Sequence, residues 1–382
     1  MLAVVGGCAT YAEPPAGGDW RAAAATLARA EISSGGPPSI QIAVGYEGEL
    51  IFNEAFGTAD VENDVRATPD TMYRTASISK WMTAAAAMVL IEKGRLDLDR
   101  PIQEYCPAYP EKRWEVTTRH LLTHTAGLRH YTDYADELAA ASNETQRLRV
   151  ELRRMRDQNS RYQRYTDVLA PLDTFKADAL RFKPGTDYLY TSYGYRLLAC
   201  VLQGADRSRD FRTILREAVF IPAGTPAIVE DDSWAIIPRR AGMYSLQSEK
   251  GLRRADLRDV SENLPAGGHL AKASDLVRFA MAFYDGKIVS RDSIMLMETP
   301  LAGPKGEPVE PGHGHGLMIL PIGSKSYIGH TGGQAGTASV LFYEPKTKIT
   351  IAVMSNADTW AGLRAFAERL FPAILSGVYR SD

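Results

Sequence analysis

Apolar positions alternate through Ile40, Ile42, Val44 and Tyr46, pause at Glu47-Gly48, and resume from Leu50 to Phe56. A period of two interrupted by a glycine-containing pair predicts a β-hairpin and the start of a half-buried antiparallel sheet. Upstream, Asp19 is placed to cap a helix carrying Ala22–Ala25, Leu27 and Ile32, which Gly35-Gly-Pro-Pro38 ends. From Ser77 to Lys93 the pattern turns helical and is apolar nearly all round, through Ala84–Ala87, Met88, Leu90 and Ile91, which predicts a buried helix. Gly94 stands where a helix C-terminus favours it. Ala338–Tyr343 and Ile349–Met354 flank Glu344-Pro-Lys-Thr-Lys348 as a second hairpin, and an amphipathic helix follows from Trp360 to Leu375. Strands at both chain ends with helices between them predict an α/β (α+β) unit. In it, an antiparallel sheet assembled from the two termini is flanked by terminal helices, and a helical lobe is inserted in the middle. The expected division is a leader or linker over 1–18 and one catalytic domain over 19–376. Its sheet lobe takes about 19–100 and 265–376, and its helical lobe about 101–264. Within that lobe, residues 131–179 carry long charged side chains, among them Arg147, Arg149, Glu151, Arg153, Arg154, Arg156 and Asp157, with few apolar anchors. They predict a solvent-exposed helical insertion. A cleft between the lobes is the expected site.

Composition narrows the function more than the fold. The 382 residues, 45% hydrophobic and 24% charged, are those of an ordinary folded chain. A formal net charge of −2 with interleaved signs offers no basic stripe for a phosphate backbone, so nucleic acid is not expected as a partner. Cys8, Cys106 and Cys200 are too few and scattered for a disulfide scaffold, and a Cys106–Cys200 bridge is left open. Met1 to Cys8 resembles the end of a bacterial lipoprotein signal but lacks the basic and most of the apolar region of one. Two readings stay open: a membrane lipid anchor at Cys8 on a protein of the bacterial cell envelope or periplasm, and an ordinary terminus on a cytoplasmic one. No later apolar run approaches the roughly 20 residues a membrane span needs.

The segment Tyr73-Arg-Thr-Ala-Ser77-Ile-Ser-Lys80 is the most informative, because a serine at a helix start and a lysine three residues on share a face, one turn apart. A serine hydroxyl is a weak nucleophile until a neighbouring base takes its proton, and a desolvated lysine is such a base. The helix start also offers free N–H groups to developing negative charge. Alone, S-x-x-K arises by chance in most chains of this length, and it is far more often a capping serine beside a surface lysine. Its company matters: Phe182-Lys-Pro-Gly185 leads into Tyr188-Leu-Tyr190-Thr-Ser192-Tyr-Gly194, and Gly329-His330-Thr331-Gly332-Gly333 precedes the Ala338 strand. A tyrosine after a Pro-Gly turn can present its hydroxyl to the same serine and lysine. Glycines at a strand edge let the backbone approach a substrate closely.

Ser77-Ile-Ser-Lys80, Leu122-Thr-His-Thr-Ala-Gly-Leu128, Phe182-Lys-Pro-Gly185, Tyr190-Thr-Ser192, Ala266-Gly-Gly268 and His330-Thr-Gly-Gly333 occur in one order. That order resembles the class C β-lactamase-like serine hydrolases, the penicillin-recognising or peptidase S12 type, over most of the chain from Ile40 to Asn356. Asp97-Leu-Asp-Arg-Pro-Ile102, Gly127-Leu-Arg-His-Tyr131 and Tyr193-Gly-Tyr195 are similar to segments of the mitochondrial serine β-lactamase-like branch. The resemblance implies a β-lactamase/transpeptidase-like fold with Ser77 as the acylated nucleophile. It also implies that Lys80 and Tyr190 share the acid and base work, and that the N–H groups of Ser77 and Gly333 form an oxyanion hole. Ser192, His330, Thr331 and Gly332 then line the substrate. Two positions depart from the family pattern: Ser192 replaces the asparagine of Tyr-x-Asn, and His330 the lysine of Lys-Thr-Gly. Both changes remove groups suited to β-lactams, so a peptidase or esterase acting on a peptide or small molecule is expected before a β-lactamase. A non-catalytic, filament-forming assembly protein, a homo-oligomer by the same resemblance, is the alternative.

Metal chemistry is the remaining comparison. His120 and His124 are spaced i,i+4, but no glutamate follows the first and no third ligand is near. His313-Gly-His315 lies in a Gly-Pro-rich loop. Packing explains the first pair, a flexible loop preceding a strand explains the second as well as weak metal binding would, and neither a cofactor nor a metal is expected.

Overall fold

The computed structural model describes residues 19–131, 134–246, 251–303, 306–307, 309, 312–322, 325–358 and 360–378. The leader over 1–18, with Cys8, lies outside the described residues. Asp19 accepts the Arg21 N–H at 2.9 Å and opens helix α1, Trp20–Ser33. The first hairpin is strands β1, Ser39–Tyr46, and β2, Glu49–Asp60, turning through Glu47 and Gly48, both at positive φ (49° and 83°). Both dihedrals are positive, as a two-residue hairpin turn that follows the strand twist requires. A short strand β3, Val65–Arg66, pairs with β2.

The second half of the sheet is β4, Gly312–His313; β5, Met318–Ile322; β6, Lys325–Gln334; β7, Thr337–Glu344; and β8, Ile349–Ser355. The eight strands run in the order β3-β2-β1-β8-β7-β6-β5-β4. The termini therefore meet at the β1–β8 pair, where Ile40 lies opposite Ser355 and Val44 opposite Ile351.

β1 departs from the half-buried expectation: both of its faces are covered. Ile40, Ile42 and Val44 pack against α1 and the C-terminal helix α7, Trp360–Val378. The intervening Gln41, Ala43 and Gly45 press on helix α6, Ala273–Tyr284, where Ala273 N donates to Gln41 Oε1 at 2.5 Å. A side chain at Gly45 would lie 2.5 Å from the Met281 sulfur. Those smaller residues read as a solvent face because a close-packed helix and water both exclude bulk.

Helix α2, Ser79–Glu92, is buried from Ser79 to Leu90, as its all-round apolarity requires, and Gly94 beyond it takes φ 66°. It runs through the helical lobe beside helix α5, Ser192–Asp206. Cys106 and Cys200 are disulfide-bonded across this lobe, with Cα atoms 5.4 Å apart, which closes the pairing left open by the sequence.

The insertion holds helices α3, Tyr134–Ala140, and α4, Glu144–Ser160. It is helical as expected; Val168, Leu172 and Phe175 reach the core at its end, but along α4 the anchors are mainly polar. Asp157, 3% exposed, receives Arg129 at 2.6 Å and the Tyr193 hydroxyl at 2.6 Å, together with the Tyr134 hydroxyl. Arg129 also reaches Asp178 at 2.6 Å, and Ser160 donates to Glu262 at 2.9 Å. Charged residues here replace the apolar stripe that would have announced a docked helix.

Candidate active site

Ser77 lies in a single 3₁₀ turn, Ala76–Ile78, immediately before α2, and is half-buried where the sheet meets the helical lobe. The preceding Ala76 holds φ 45°. A left-handed alanine costs roughly 1–2 kcal/mol, so the surrounding contacts must impose it. They do. Thr75 N donates to His269 O at 2.9 Å, Ser339 Oγ donates to Thr75 O at 2.9 Å, and Thr337 Oγ1 donates to Arg74 O at 3.1 Å. Ser79, the inner serine of Ser-Ile-Ser-Lys, faces Thr75 Oγ1 at 2.9 Å and His269 Nδ1 at 3.1 Å, away from the cleft. The turn also presses on β6, since a Cβ on Gly332 would sit 2.3 Å from Thr75 O and 3.1 Å from the Ala76 Cβ.

Lys80 is fully buried, with Nζ 2.9 Å from Ser77 Oγ, 3.2 Å from Ser192 Oγ and 3.0 Å from Ala266 O. Burial, with the nearby Arg196 guanidinium, holds its ammonium well below the usual lysine range. A neutral amine has two N–H donors and one lone pair. Nζ donates to all three oxygens; on losing a proton it would keep two donors for Ala266 O and Ser192 Oγ and turn its lone pair to the Ser77 hydroxyl.

Tyr190 stands beside Ser77, which acts on its ionisation, and its ring centre lies 4.9 Å from Lys80 Nζ. Burial raises the phenol above its ordinary range, so it stands here as a neutral O–H. His124 orders this segment: at φ 58° it packs 4.4 Å from the Tyr190 ring, its Nδ1 accepts the Thr191 N–H at 3.2 Å, and its carbonyl accepts Leu189 N at 2.9 Å. Ser192 opens α5 behind the Thr191 cap.

β5 pairs with β6 only as far as Gly329, so from His330 to Gln334 the outer edge of β6 has no strand neighbour among the described residues. Gly333 is exposed on that stretch. His330 is buried 6.5 Å from the Tyr190 ring, and its Nδ1–H donates to Thr331 O at 2.5 Å. Burial, then the Lys80 charge, keeps its imidazole well below the ordinary histidine range and therefore neutral.

Thr331 is a correction. Its hydroxyl lies 3.2 Å from Met318 Sδ on the opposite face of the sheet, lining a cavity of about 460 Å³ with Val340, Phe342 and Ala367 under α7. Successive side chains of a strand point to opposite faces, so Thr331 and His330 cannot both face the cleft. Gly332 belongs on the His330 face, but its part is to let β6 lie against the serine turn.

The paired histidines serve packing. His120 Nδ1 lies 3.2 Å from Thr117 N and caps its short helix, while His124 holds the Tyr190 segment. Tyr188 Oη lies 3.0 Å from His313 Nδ1, and Arg119 lies 3.3 Å from His315 Nε2. No group of three metal-ligating side chains occurs among the described residues.

The sequence did not single out His130 and Ala266 O. His130 is half-buried, 3.9 Å from the Tyr131 ring and 6.1 Å from that of Tyr190, with Ser192 N 3.5 Å from its Nδ1. A lone histidine gives no periodic signal, and a backbone carbonyl gives none at all.

An antiparallel sheet built from both termini, an inserted helical lobe, and a serine with a buried lysine at their seam define the class of β-lactamase-like serine hydrolases. The chain belongs to the beta-lactamase family, which it matches over residues 21–371. It is 29% identical over 383 residues to the serine beta-lactamase-like protein LACTB, mitochondrial, of Homo sapiens, covering 81% of this chain and 69% of that protein. Among solved structures it is similar to the D-amino acid amidase of Ochrobactrum anthropi SV3, with TM-score 0.76 at 21% identity over 94% of this chain and 99% of that one. The octameric penicillin-binding protein homologue of Pyrococcus abyssi gives TM-score 0.70 at 24% identity, covering 93% of this chain and 77% of that one.

Proposed function

We propose that the protein hydrolyses a peptide or ester through an acyl-enzyme on Ser77. The observation that carries this reading is the Lys80 environment, where a fully buried amine, its pKa lowered by burial, lies 2.9 Å from Ser77 Oγ with Ser192 Oγ and Ala266 O placed to hold its two N–H donors once it is neutral. Lys80 takes the hydroxyl proton as Ser77 attacks the carbonyl, and the N–H groups of Ser77 and Gly333 receive the oxyanion. Tyr190, neutral and beside Ser77, passes the proton to the leaving group. Water then attacks the acyl-enzyme with the same pair as base, which gives ping-pong kinetics.

Peptide or ester is favoured over β-lactam because Ser192 takes a Lys80 hydrogen bond in place of an amide-binding asparagine, and His330 is neutral. The D-amino acid amidase likeness supports amide chemistry on this fold. The octameric homologue favours a second property, self-assembly, alongside catalysis. The Cys106–Cys200 disulfide supports an oxidising compartment, as in the bacterial envelope.

Intact-mass measurement after exposure to a fluorophosphonate tests the reading. One adduct on the wild type and none on Ser77→Ala is expected. No adduct on folded wild type would remove the catalytic reading in favour of assembly, which size-exclusion chromatography would then examine.

A further inference from the structure

The two walls beside Ser77 differ in charge. On β6, the side chain facing Tyr190 is His330, neutral and engaged with Thr331 O. Across the cleft, Tyr131 stands between two guanidiniums, with Arg161 Cζ 4.7 Å and Arg258 Cζ 5.5 Å from its ring centre. This wall is continuous with the catalytic group through His130, which touches Tyr131 on one side and Tyr190 and Ser192 on the other.

Among the described residues its charges are not balanced. Glu262 lies 3.2 Å from Arg258 and 3.2 Å from Arg196, so one carboxylate serves two guanidiniums. Arg161 gives one hydrogen bond to Tyr131 O at 3.3 Å and has no carboxylate partner among the described residues. Arg258 Nε is buried without a hydrogen-bond partner. The field shows at His130, whose protonation is opposed by burial and then by Lys80, Arg196, Arg161 and Arg258 in turn, bringing it to about 3. Among the described residues, three guanidiniums against one carboxylate beside a nucleophile leave a place for a substrate anion. Arg presents a planar fork suited to a carboxylate.

We propose that Arg161 and Arg258, flanking Tyr131, form a carboxylate-binding subsite, and that preferred substrates bear a free carboxylate on the part lying against this wall. The proposal rests on the Ser77 reading. It places anion recognition on the helical-lobe side of the cleft and not on the β6 edge.

The test compares kcat/KM within two pairs of esters. p-Nitrophenyl hydrogen glutarate against p-nitrophenyl 4-carbamoylbutyrate carries the charge in the acyl group. 3-Carboxyphenyl acetate against 3-carbamoylphenyl acetate carries it in the leaving group. In the wild type, at least one carboxylate member is expected to exceed its amide by roughly tenfold or more, as a charge-assisted bond to a guanidinium allows. Arg161→Ala should bring that ratio close to one, and Arg161→Lys should keep part of it. Arg161 is half-buried with a single bond to a backbone carbonyl, so both variants are expected to melt like the wild type.

If Ser77 accepts the fluorophosphonate but no ester turns over, protection against labelling by glutarate and by glutaramide reads the same preference. A labelled Ser77 with no preference in either pair, or a preference unchanged in Arg161→Ala, overturns the subsite alone. An unlabelled wild type overturns the catalytic reading and the subsite with it.

Discussion

Gly332→Ala perturbs the site through geometry alone. The added methyl would begin 2.3 Å from Thr75 O, 2.4 Å from Ser339 Oγ and 3.1 Å from the Ala76 Cβ, whereas ordinary contact starts near 3.4 Å. Thr75 O is backbone, and it is held there by Ser339. Strand and turn must therefore separate by about 1 Å, since the backbone Thr75 O and the Ala76 Cβ cannot rotate aside and Ser339 Oγ is held by its bond to Thr75 O. Overpacking of this kind costs about 1–3 kcal/mol. In a chain of this size that lowers the melting temperature by several degrees, at roughly 2–4 °C per kcal/mol. The turn that moves is the one carrying Ser77, and a displacement near 1 Å can reduce reactivity about 100-fold. Scanning calorimetry and the second-order rate of fluorophosphonate labelling measure the two effects. A Gly332→Ala protein that melts and labels like the wild type would refute the claim that β6 positions the serine turn.

Three further outcomes are expected. Because the Lys80 ammonium is held well below the usual lysine range, the labelling rate should rise with pH through one ionisation and level off well before the pH at which a free lysine deprotonates. A rate still climbing through pH 10 would contradict this, and Lys80→Arg should label negligibly. Asp157→Ala leaves Arg129 buried beside Asp178 alone and should destabilise the fold by about 3–5 kcal/mol in urea titration. Asp157 has a lowered folded-state value, so its contribution is complete above the ordinary carboxylate range and is lost as the pH falls through that lowered value. A wild-type urea midpoint for the variant would show that the insertion is docked by other means. Removing the Cys106–Cys200 bond, which spans 94 positions, with Cys106→Ser/Cys200→Ser should cost up to about 4–5 kcal/mol by loop-closure entropy. An unchanged melting curve would place the stability of the helical lobe elsewhere.

The sequence made the centre of the site legible because its signal is local. Ser77 and Lys80 are one helical turn apart in one segment, so chemistry and geometry appear together. The hairpins and α2 were legible for the same reason, through period and turn residues. Relations across distant segments were not. Thr331 was grouped with its neighbours in His-Thr-Gly-Gly, yet strand alternation sends it to the far face. β1 read as half-buried because Gln41 and Gly45 look like a wet face, though they meet α6. The insertion's anchor, Asp157 on Arg129, was hidden among exposed arginines whose sequence pattern is the same. His130 depends on three segments converging, which spacing along one chain does not encode.

The pairing of β1 with β8 also bears on how the molecule is made. Ile40 must wait for Ser355, so the first hairpin leaves the ribosome long before its central partner exists. In that interval β1, apolar on one face and unpaired along one edge, is the segment most open to wrong partners. Synthesis in vectorial order therefore offers this protein little protected folding. A stop codon that removes only β8 and the final helix would not trim the sheet at its edge; it would take out the middle.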